Sequence, residues 1–279
     1  MPLPISLACW QKELAGNRSV TALTLPGTHD SCARFFRPYS QCQTLTVCEQ
    51  LQRGVRFLDI RCRHIGNTFT MHHGLVYLKM IFDDVLNTCE AFLHENPSEF
   101  VFLSVKDEHT PEGNTRGFEE TLAEYIAKRQ GLFYTERRFA SVEDLRGKLV
   151  LFSRYAGNTM GLDATRWADM NSVTEQTEIV VQDNYMLKFP KTSKWEDVRA
   201  LLLRAEQQPL DGRLYVNFVS GTGVMCPDMA RVVAKRTNAA LLAHITGQAN
   251  KRYGIVVLDF PELPQNALLK KLIALNFEA

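Results

Sequence analysis

No apolar run in the 279-residue chain reaches the roughly 18 residues that a membrane-spanning helix requires. Charge of one sign is also missing. With 32 Lys and Arg against 31 Asp and Glu, the formal net charge is +1, which leaves no global basic field for nucleic acid or an anionic membrane. No nucleic-acid partner is expected, and nothing implies an obligate protein partner. The seven cysteines include no Cys-x-x-Cys pair and no zinc-finger spacing with histidine, and their odd number argues against a fully paired framework. Cys32, Cys42 and Cys48 are close enough for one local disulfide, and Cys89 reads as a small buried hydrophobe on a helix. Met1 to Trp10 is too short and too interrupted by proline for a signal peptide. There is no low-complexity linker, no fixed-period repeat and no compositional break, so one domain over 1–279 is expected.

What the chain does have is strands and helices in alternation, with 45% hydrophobic residues to fill a core. Strands are predicted at Thr21–Leu25, Phe57–Arg63, Phe100–Val105, Leu149–Phe152, Ile179–Val181, Leu214–Val219 and Ile255–Leu258, with a short one at Thr68–Met71. Leu78, Ile81, Phe82, Val85, Leu86, Cys89, Phe92 and Leu93 recur at spacings of three and four and predict one helix, stopped at Asn96-Pro97. Further helices are predicted within Asn114–Gln130, from a Ser193/Glu196 capping box through Ala205, from near Pro227, and over Leu263–Leu275. Continuous apolar strands separated by helices predict a parallel sheet, and seven or eight of them predict a distorted TIM-like α/β barrel.

Each predicted strand ends in polar residues. His29 and Asp30 follow the first; Asp59 and Arg61 lie in the second. Lys106 and Asp107, Arg154, Asp183 with Tyr185, Ser220 and Asp259 close the others. In a parallel barrel those ends share the face on which active sites are built. Plainer readings exist for each alone: a loop histidine, an Asp59–Arg61 neutral pair, a solvated run at Lys106-Asp107-Glu108, a helix cap at Asp259. Two histidines in Gly-containing segments, His29 and His73, stand out as an acid–base pair. His72 would point away from His73 on its strand. His64, His94, His109 and His244 lack a catalytic context.

The ordered set is more specific than its parts. Leu25-Pro26-Gly27-Thr28-His29-Asp30-Ser31, Thr46-Val47-Cys48-Glu49-Gln50-Leu51, Gly54 through Arg61, His72-His73-Gly74, and Asn96-Pro97-Ser98-Glu99 ahead of Lys106 occur in order. Ser153-Arg154-Tyr155, Gln182-Asp183-Asn184-Tyr185, Asn217-Phe218-Val219-Ser220 and Leu258-Asp259-Phe260 come after them. This series resembles the X-type catalytic domain of phosphatidylinositol-specific phospholipases C, in the arrangement of the small bacterial enzymes. The resemblance implies cleavage of phosphatidylinositol to diacylglycerol and a cyclic inositol phosphate. It implies His29 as general base oriented by Asp259, His73 as general acid positioned by Asp30, and Arg61 on the phosphate. Lys106, Arg154 and Asp183 would grip inositol hydroxyls, with Tyr185 stacking under the ring.

Arg61 stands where calcium-dependent relatives place a carboxylate-lined metal site, so neither a metal nor another cofactor is expected. The substrate is a membrane lipid, and Phe35, Phe36, Tyr39, Val224 and Met225 are candidate membrane contacts. The alternatives are cleavage of glycosylphosphatidylinositol anchors, metal-dependent glycerophosphodiester hydrolysis, and non-catalytic phosphoinositide binding. Resemblance to small bacterial enzymes suggests a secreted or periplasmic protein.

Overall fold

A computed structural model describes residues 6–35, 39–167, 173–175, 178–187, 194–207, 212–223 and 229–277. The chain opens with a 3-10 segment, Leu7–Glu13, and a 3-10 turn, Val20–Ala22, capped by Ser19 Oγ accepting from Thr21 N–H. The strands are β1 (Thr24–Thr28), β2 (Phe57–Ile65), β3 (Thr68–His73), β4 (Val76–Ile81), β5 (Val101–Asp107), β6 (Phe133–Tyr134) and β7 (Leu149–Arg154). After them come β8 (Leu162–Asp163), β9 (Thr174–Glu175), β10 (Ile179–Gln182), β11 (Met186–Leu187), β12 (Leu214–Phe218), β13 (Thr222–Gly223) and β14 (Gly254–Leu258). The helices are α1 (Val47–Gln52), α2 (Phe82–Glu95), α3 (Phe118–Ala127), α4 (Val142–Leu145), α5 (Trp195–Gln207), α6 (Met229–Ile245) and α7 (Ala267–Ala274). None, among the described residues, is long and apolar enough to cross a membrane.

One sheet runs in the order β6-β7-β5-β2-β1-β14-β12-β10-β9. Every pairing along it is parallel except the last, between β10 and β9. Among the described residues no ladder joins β9 back to β6 or β8, so the sheet is a curled, open version of the predicted barrel. The central strands carry fully buried side chains, as β1, β7, β12 and β14 do at every position. That is the signature of strands covered on both faces.

Three departures from the sequence reading have local causes. The first strand begins at Thr24 and passes through Pro26-Gly27, because Pro26 keeps its carbonyl in use, accepting from Arg56 N–H at 2.8 Å. The predicted helix from Leu78 begins only at Phe82. Leu78 and Ile81 belong to β4, whose inward residues happen to continue the three- and four-residue spacing of Phe82, Val85, Leu86 and Cys89. The last helix is shorter than predicted, starting at Ala267 after a run of turns. Ser193 and Pro227, the predicted starts of two helices, lie outside the described residues. Cys9, Cys32, Cys42, Cys48, Cys62 and Cys89 are all free thiols, so the local disulfide is not formed.

Antiparallel pairing of β3 with β2, Cys62 opposite Met71, folds the chain back and sets His73 at the tip of the β3–β4 hairpin. His73 pairs with Val76, leaving Gly74-Leu75 as a two-residue turn. Gly74 takes φ +56°, the conformation such a turn needs at its first central position. Gly74 N–H then donates to Glu108 Oε1 at 2.9 Å, which ties the hairpin to the end of β5.

Candidate active site

Parallel register places the polar residues side by side. Arg61 of β2 is opposite Lys106 of β5, which is opposite Arg154 of β7, so three cations stand abreast on neighbouring strands. His29 leaves β1 with its N–H donating to Leu258 O of β14 (3.0 Å), and the residue after Leu258, Asp259, reaches its ring.

His29 Nδ1 lies 2.8 Å from Asp259 Oδ1, and its Nε2 lies 2.8 Å from an Arg61 Nη. A guanidinium only donates. The neutral ring that satisfies both bonds therefore carries its proton on Nδ1, given to Asp259, and presents Nε2 as acceptor. Burial pulls the His29 pKa down, but the Asp259 charge and hydrogen bond outweigh it and leave the group above its ordinary value. The ring also meets Phe218 edge-on, with centroids 6.0 Å apart.

Arg61 is shared. It contacts Asp59 Oδ2 at 3.3 Å, Asp30 Oδ2 at 3.6 Å and Glu108 Oε1 at 3.6 Å besides His29. Asp59 is fully buried and also takes the Arg154 Nη1 hydrogen bond (3.0 Å) and the Asp30 N–H (3.1 Å). Burial acts to raise its pKa, yet the Arg61 and Arg154 charges hold the carboxyl well below the usual range. Asp30 behaves oppositely. It takes φ +41°, is 1% exposed, and neither carboxylate oxygen has a hydrogen-bond partner. Burial keeps its pKa above the ordinary value in spite of Arg61.

His73 Nδ1 donates to the Ser40 carbonyl at 2.9 Å, and Asp30 Oδ2 is 3.7 Å away. The residue that holds the predicted acid is thus Ser40 through its backbone, with Asp30 a charge at slightly longer range. His72 is buried beside Tyr77 and lies off the cavity, as its strand parity predicts. Lys106 Nζ is 3.1 Å from Glu108 Oε2. Burial acts to raise the Glu108 pKa, but Arg61, Lys106 and the Gly74 N–H lower it on balance.

A cavity of about 350 Å³ lies between these groups. His29, Arg61, His73, Lys106, Asp183, Tyr185 and Asp259 line it, with Tyr39, Ser40, Cys42 and Glu108. Arg154 does not. Its guanidinium is 3.7 Å above the Trp167 ring and bound to Asp59, and Trp167 Nε1 donates to Asp183 Oδ2 at 3.1 Å. In this arrangement Arg154 orders Asp59 and Trp167, and through Trp167 it is linked to the cavity residue Asp183. Asp183 does face the cavity, with burial raising its pKa against the Arg154 charge.

Of the predicted membrane contacts, Phe36, Val224 and Met225 lie outside the described residues. Tyr39 is 85% exposed and Phe35 39%, the latter within cation–π distance of Arg34 and Lys79. Sequence reasoning missed Leu75, which is 78% exposed at the hairpin tip, and Tyr77, 44% exposed. It passed over Glu108 as part of a charge run and took Cys42 only as a candidate for a local disulfide.

Two histidines, a shared arginine and a ring of carboxylates surround one cavity at the carboxyl ends of parallel strands, an arrangement able to support acid–base chemistry. The family model for the X domain of phosphatidylinositol-specific phospholipase C matches residues 29–155. The chain is 25% identical over 268 residues to the 1-phosphatidylinositol phosphodiesterase of Listeria monocytogenes, covering 91% of this chain and 81% of the relative. It is 29% identical over 276 residues to that of Staphylococcus aureus, covering 90% and 87%. A solved variant of the Staphylococcus aureus phosphatidylinositol-specific phospholipase C superposes with a TM-score of 0.89 at 26% identity, covering 99% of both chains. The Listeria monocytogenes structure gives 0.81 at 25%, covering 98% and 100%. Residues 29–155 thus resemble the X domain of phosphatidylinositol-specific phospholipase C, and the whole chain shares the TIM-like fold of the bacterial enzymes.

Proposed function

We propose that this chain cleaves phosphatidylinositol by attack of the inositol 2-hydroxyl on the adjoining phosphorus, giving diacylglycerol and inositol 1,2-cyclic phosphate. His29 Nε2 takes the hydroxyl proton, and Asp259 stabilises the imidazolium that results. His73, held through Nδ1 by Ser40, gives its proton to the diacylglycerol oxygen as the phosphorus–oxygen bond breaks. Arg61 turns from His29 to the phosphate and stabilises the charge that builds there. The nucleophile is part of the substrate, which supplies much of the proximity advantage. Proton transfer contributes roughly a hundred- to ten-thousandfold. Lys106, Asp183 and Tyr185 contact the inositol ring. The observation that carries this reading is the Arg61 Nη to His29 Nε2 bond of 2.8 Å, which puts the phosphate ligand against the very nitrogen the base must use.

The guanidinium stands in for a divalent cation, so the reaction proceeds without metal. Phosphorus NMR of phosphatidylinositol vesicles in excess chelator tests both points. A cyclic phosphodiester signal is expected with the wild type and not with His29→Ala. No product, or product only after calcium is restored, would overturn the reading.

Tyr39, Phe35 and the hairpin residues Leu75 and Tyr77 form the apolar rim that meets the lipid surface. One solved structure of the Staphylococcus aureus enzyme concerns the modulation of its membrane binding, and an exposed rim beside the cavity suits the same behaviour here. The compartment proposed from the bacterial relatives is secreted or periplasmic. Six free thiols weigh toward a reducing compartment instead, and cell fractionation decides.

A further inference from the structure

We propose that the cavity contains a second, inhibitory function: Asp30, Cys42 and His73 together bind a thiophilic divalent cation of the zinc class and thereby switch the acid histidine off. One donor atom from each of these three residues lies within 4.8 Å of the other two. Cys42 and Asp30 are 2% and 1% exposed, and Cys42 lines the cavity beside His73.

The three donors converge for reasons independent of any ion. Cys42 N–H donates to Ala33 O (2.9 Å) and its carbonyl accepts from Phe260 N–H (3.0 Å), so the backbone beneath the thiol is fixed. Cys42 Sγ and His73 Nδ1 both point at one acceptor, the Ser40 carbonyl, at 3.9 and 2.9 Å. Asp30 Oδ2 is 3.7 Å from His73 Nδ1, and both of its oxygens lack a hydrogen-bond partner. A buried carboxylate with no donor is an expensive group, and a cation would satisfy it.

Zinc takes sulfur at about 2.3 Å and nitrogen or oxygen at about 2.0–2.2 Å, which sets tetrahedral donors roughly 3.3–3.8 Å apart. The present spacing needs only a modest contraction. On binding, the Cys42 thiol loses its proton to solvent and bonds as thiolate; the acid form of His73 gives its Nδ1 proton to solvent, the neutral form moves its one proton to Nε2, and either then coordinates through Nδ1, giving up the Ser40 bond. Arg61, 3.6 Å from Asp30 Oδ2, opposes the cation, but the new thiolate limits the added charge to one unit. The set His29, Cys42 and Asp259 also clusters. An ion there would have to break the 2.8 Å His29–Asp259 bond, so the Asp30 set is favoured. Calcium and magnesium prefer oxygen ligands and are poorly matched to a thiol.

The binding claim stands on this geometry, and only its inhibitory consequence rests on the proposed phospholipase activity. The test uses Cys48→Ser as reference, because Cys48 is an exposed free thiol. Cadmium is titrated in chelator-free buffer while thiolate-to-metal ultraviolet absorption is read. The band is expected in the reference and should need roughly tenfold more metal, or vanish, on adding Cys42→Ser, Cys42→Ala or Asp30→Asn; removing even an outer partner of a metal ligand costs 10–100-fold. A band that survives both Cys42 variants overturns the proposal. So does a band lost with Asp259→Asn but kept with Asp30→Asn, which would assign the other ligand set. In the lipid assay, zinc but not calcium should inhibit the reference, reversibly by chelator, and Cys42→Ser should resist zinc relative to its own metal-free rate. Zinc inhibition equal in both would remove the switch while leaving any cadmium site intact.

Discussion

Two arginines, five residues apart, stand just before the second strand and midway along it, and they are built in different ways. Arg56 precedes β2 and is fully buried. Its guanidinium meets one carboxylate, Glu99 Oε2, through Nε at 2.9 Å and Nη2 at 2.7 Å. It gives its remaining hydrogens to the carbonyls of Leu51, Val55 and Ala8 at 2.7–2.9 Å, and it stacks over Phe92. Arg61, at the cavity end, touches Asp59, Asp30 and Glu108 at 3.3–3.6 Å, and only its bond to His29 is short. At the base of the sheet the Arg56 guanidinium is saturated, with each of its hydrogens fixed. The mouth has three cations, Arg61, Lys106 and Arg154, against five carboxylates, Asp30, Asp59, Glu108, Asp183 and Asp259, and leaves the Asp30 carboxylate without a hydrogen bond. A saturated pair stabilises a fold and binds nothing. A site that must accept a phosphate keeps its arginine loosely held and tolerates misfit elsewhere.

The largest test of this contrast falls at the base. Glu99→Gln leaves the Arg56 charge buried without a counter-ion, a change that costs about 3–5 kcal/mol. Denaturant unfolding should show that loss, while the protein that remains folded keeps its turnover. A loss under about 1 kcal/mol, as expected of a surface pair, would mean the base is not the structural half.

At the mouth the expectation reverses. Arg61→Lys keeps the charge but not the planar fork that reaches His29 and the carboxylates together. Turnover should fall by about a hundred- to a thousandfold, with little change in unfolding midpoint. If the variant unfolds as readily as Glu99→Gln, Arg61 is a structural residue and the contrast fails.

The next effect is smaller and has a pH signature. Asp30 has a raised pKa in the folded chain and Asp59 a lowered one. Asp59 therefore contributes stability that is present above the ordinary carboxyl value of 3.8 and is lost as pH falls through its own depressed value. Asp30 has the opposite sign: its contribution is full below 3.8 and is lost as pH rises through its raised value. Asp30→Asn should accordingly stabilise the protein near neutrality by about 0.5–2 kcal/mol. That gain should shrink toward pH 4, while activity drops. A destabilised Asp30→Asn at pH 7 would show that the carboxylate is satisfied after all.

Much of the mouth was legible in the sequence because strand ends are. An apolar run such as Val101-Phe102-Leu103-Ser104-Val105 fixes where a strand emerges, and parallel register then aligns Arg61, Lys106 and Arg154 whatever the loops do. His29 and Asp259 were placed at strand ends for the same reason, but their pairing came from the family resemblance, and the β1–β14 ladder supplies its geometry. Groups delivered by loops or by long-range packing were not. Ser40 acts through a carbonyl, which has no residue-type signal. The Trp167 ring beneath Arg154 has no signal in the segment that carries the arginine. Glu108 is hidden in a charge run that reads equally well as solvated. At the base, Glu99 appeared only as a family motif, because its partner Arg56 is 43 positions away. The hairpin was misread outright: β4 and α2 abut without a break, and their buried residues mimic one continuous helical stripe.

That misreading hid Leu75, and with it the weakest and most specific difference between the two ends. Among the described residues the exposed large hydrophobics are Phe35, Tyr39, Leu75, Tyr77 and Val173. Tyr39 lines the cavity, and Leu75 directly follows the lining residue Gly74. Leu75 does not line it, so its exposure serves neither the core nor the head group. The Gly74 turn holds it outward while the Gly74–Glu108 bond ties the turn to the site. Burying a leucine side chain is worth about 1.5–3 kcal/mol when complete, and a partly inserted one less. Leu75→Ser should therefore weaken binding to phosphatidylinositol vesicles by roughly five- to tenfold, about 1.0–1.4 kcal/mol. Turnover of a soluble inositol phosphodiester should stay at the wild-type rate. Equal losses on vesicles and on the soluble substrate would make the hairpin tip part of the catalytic framework rather than its contact with lipid.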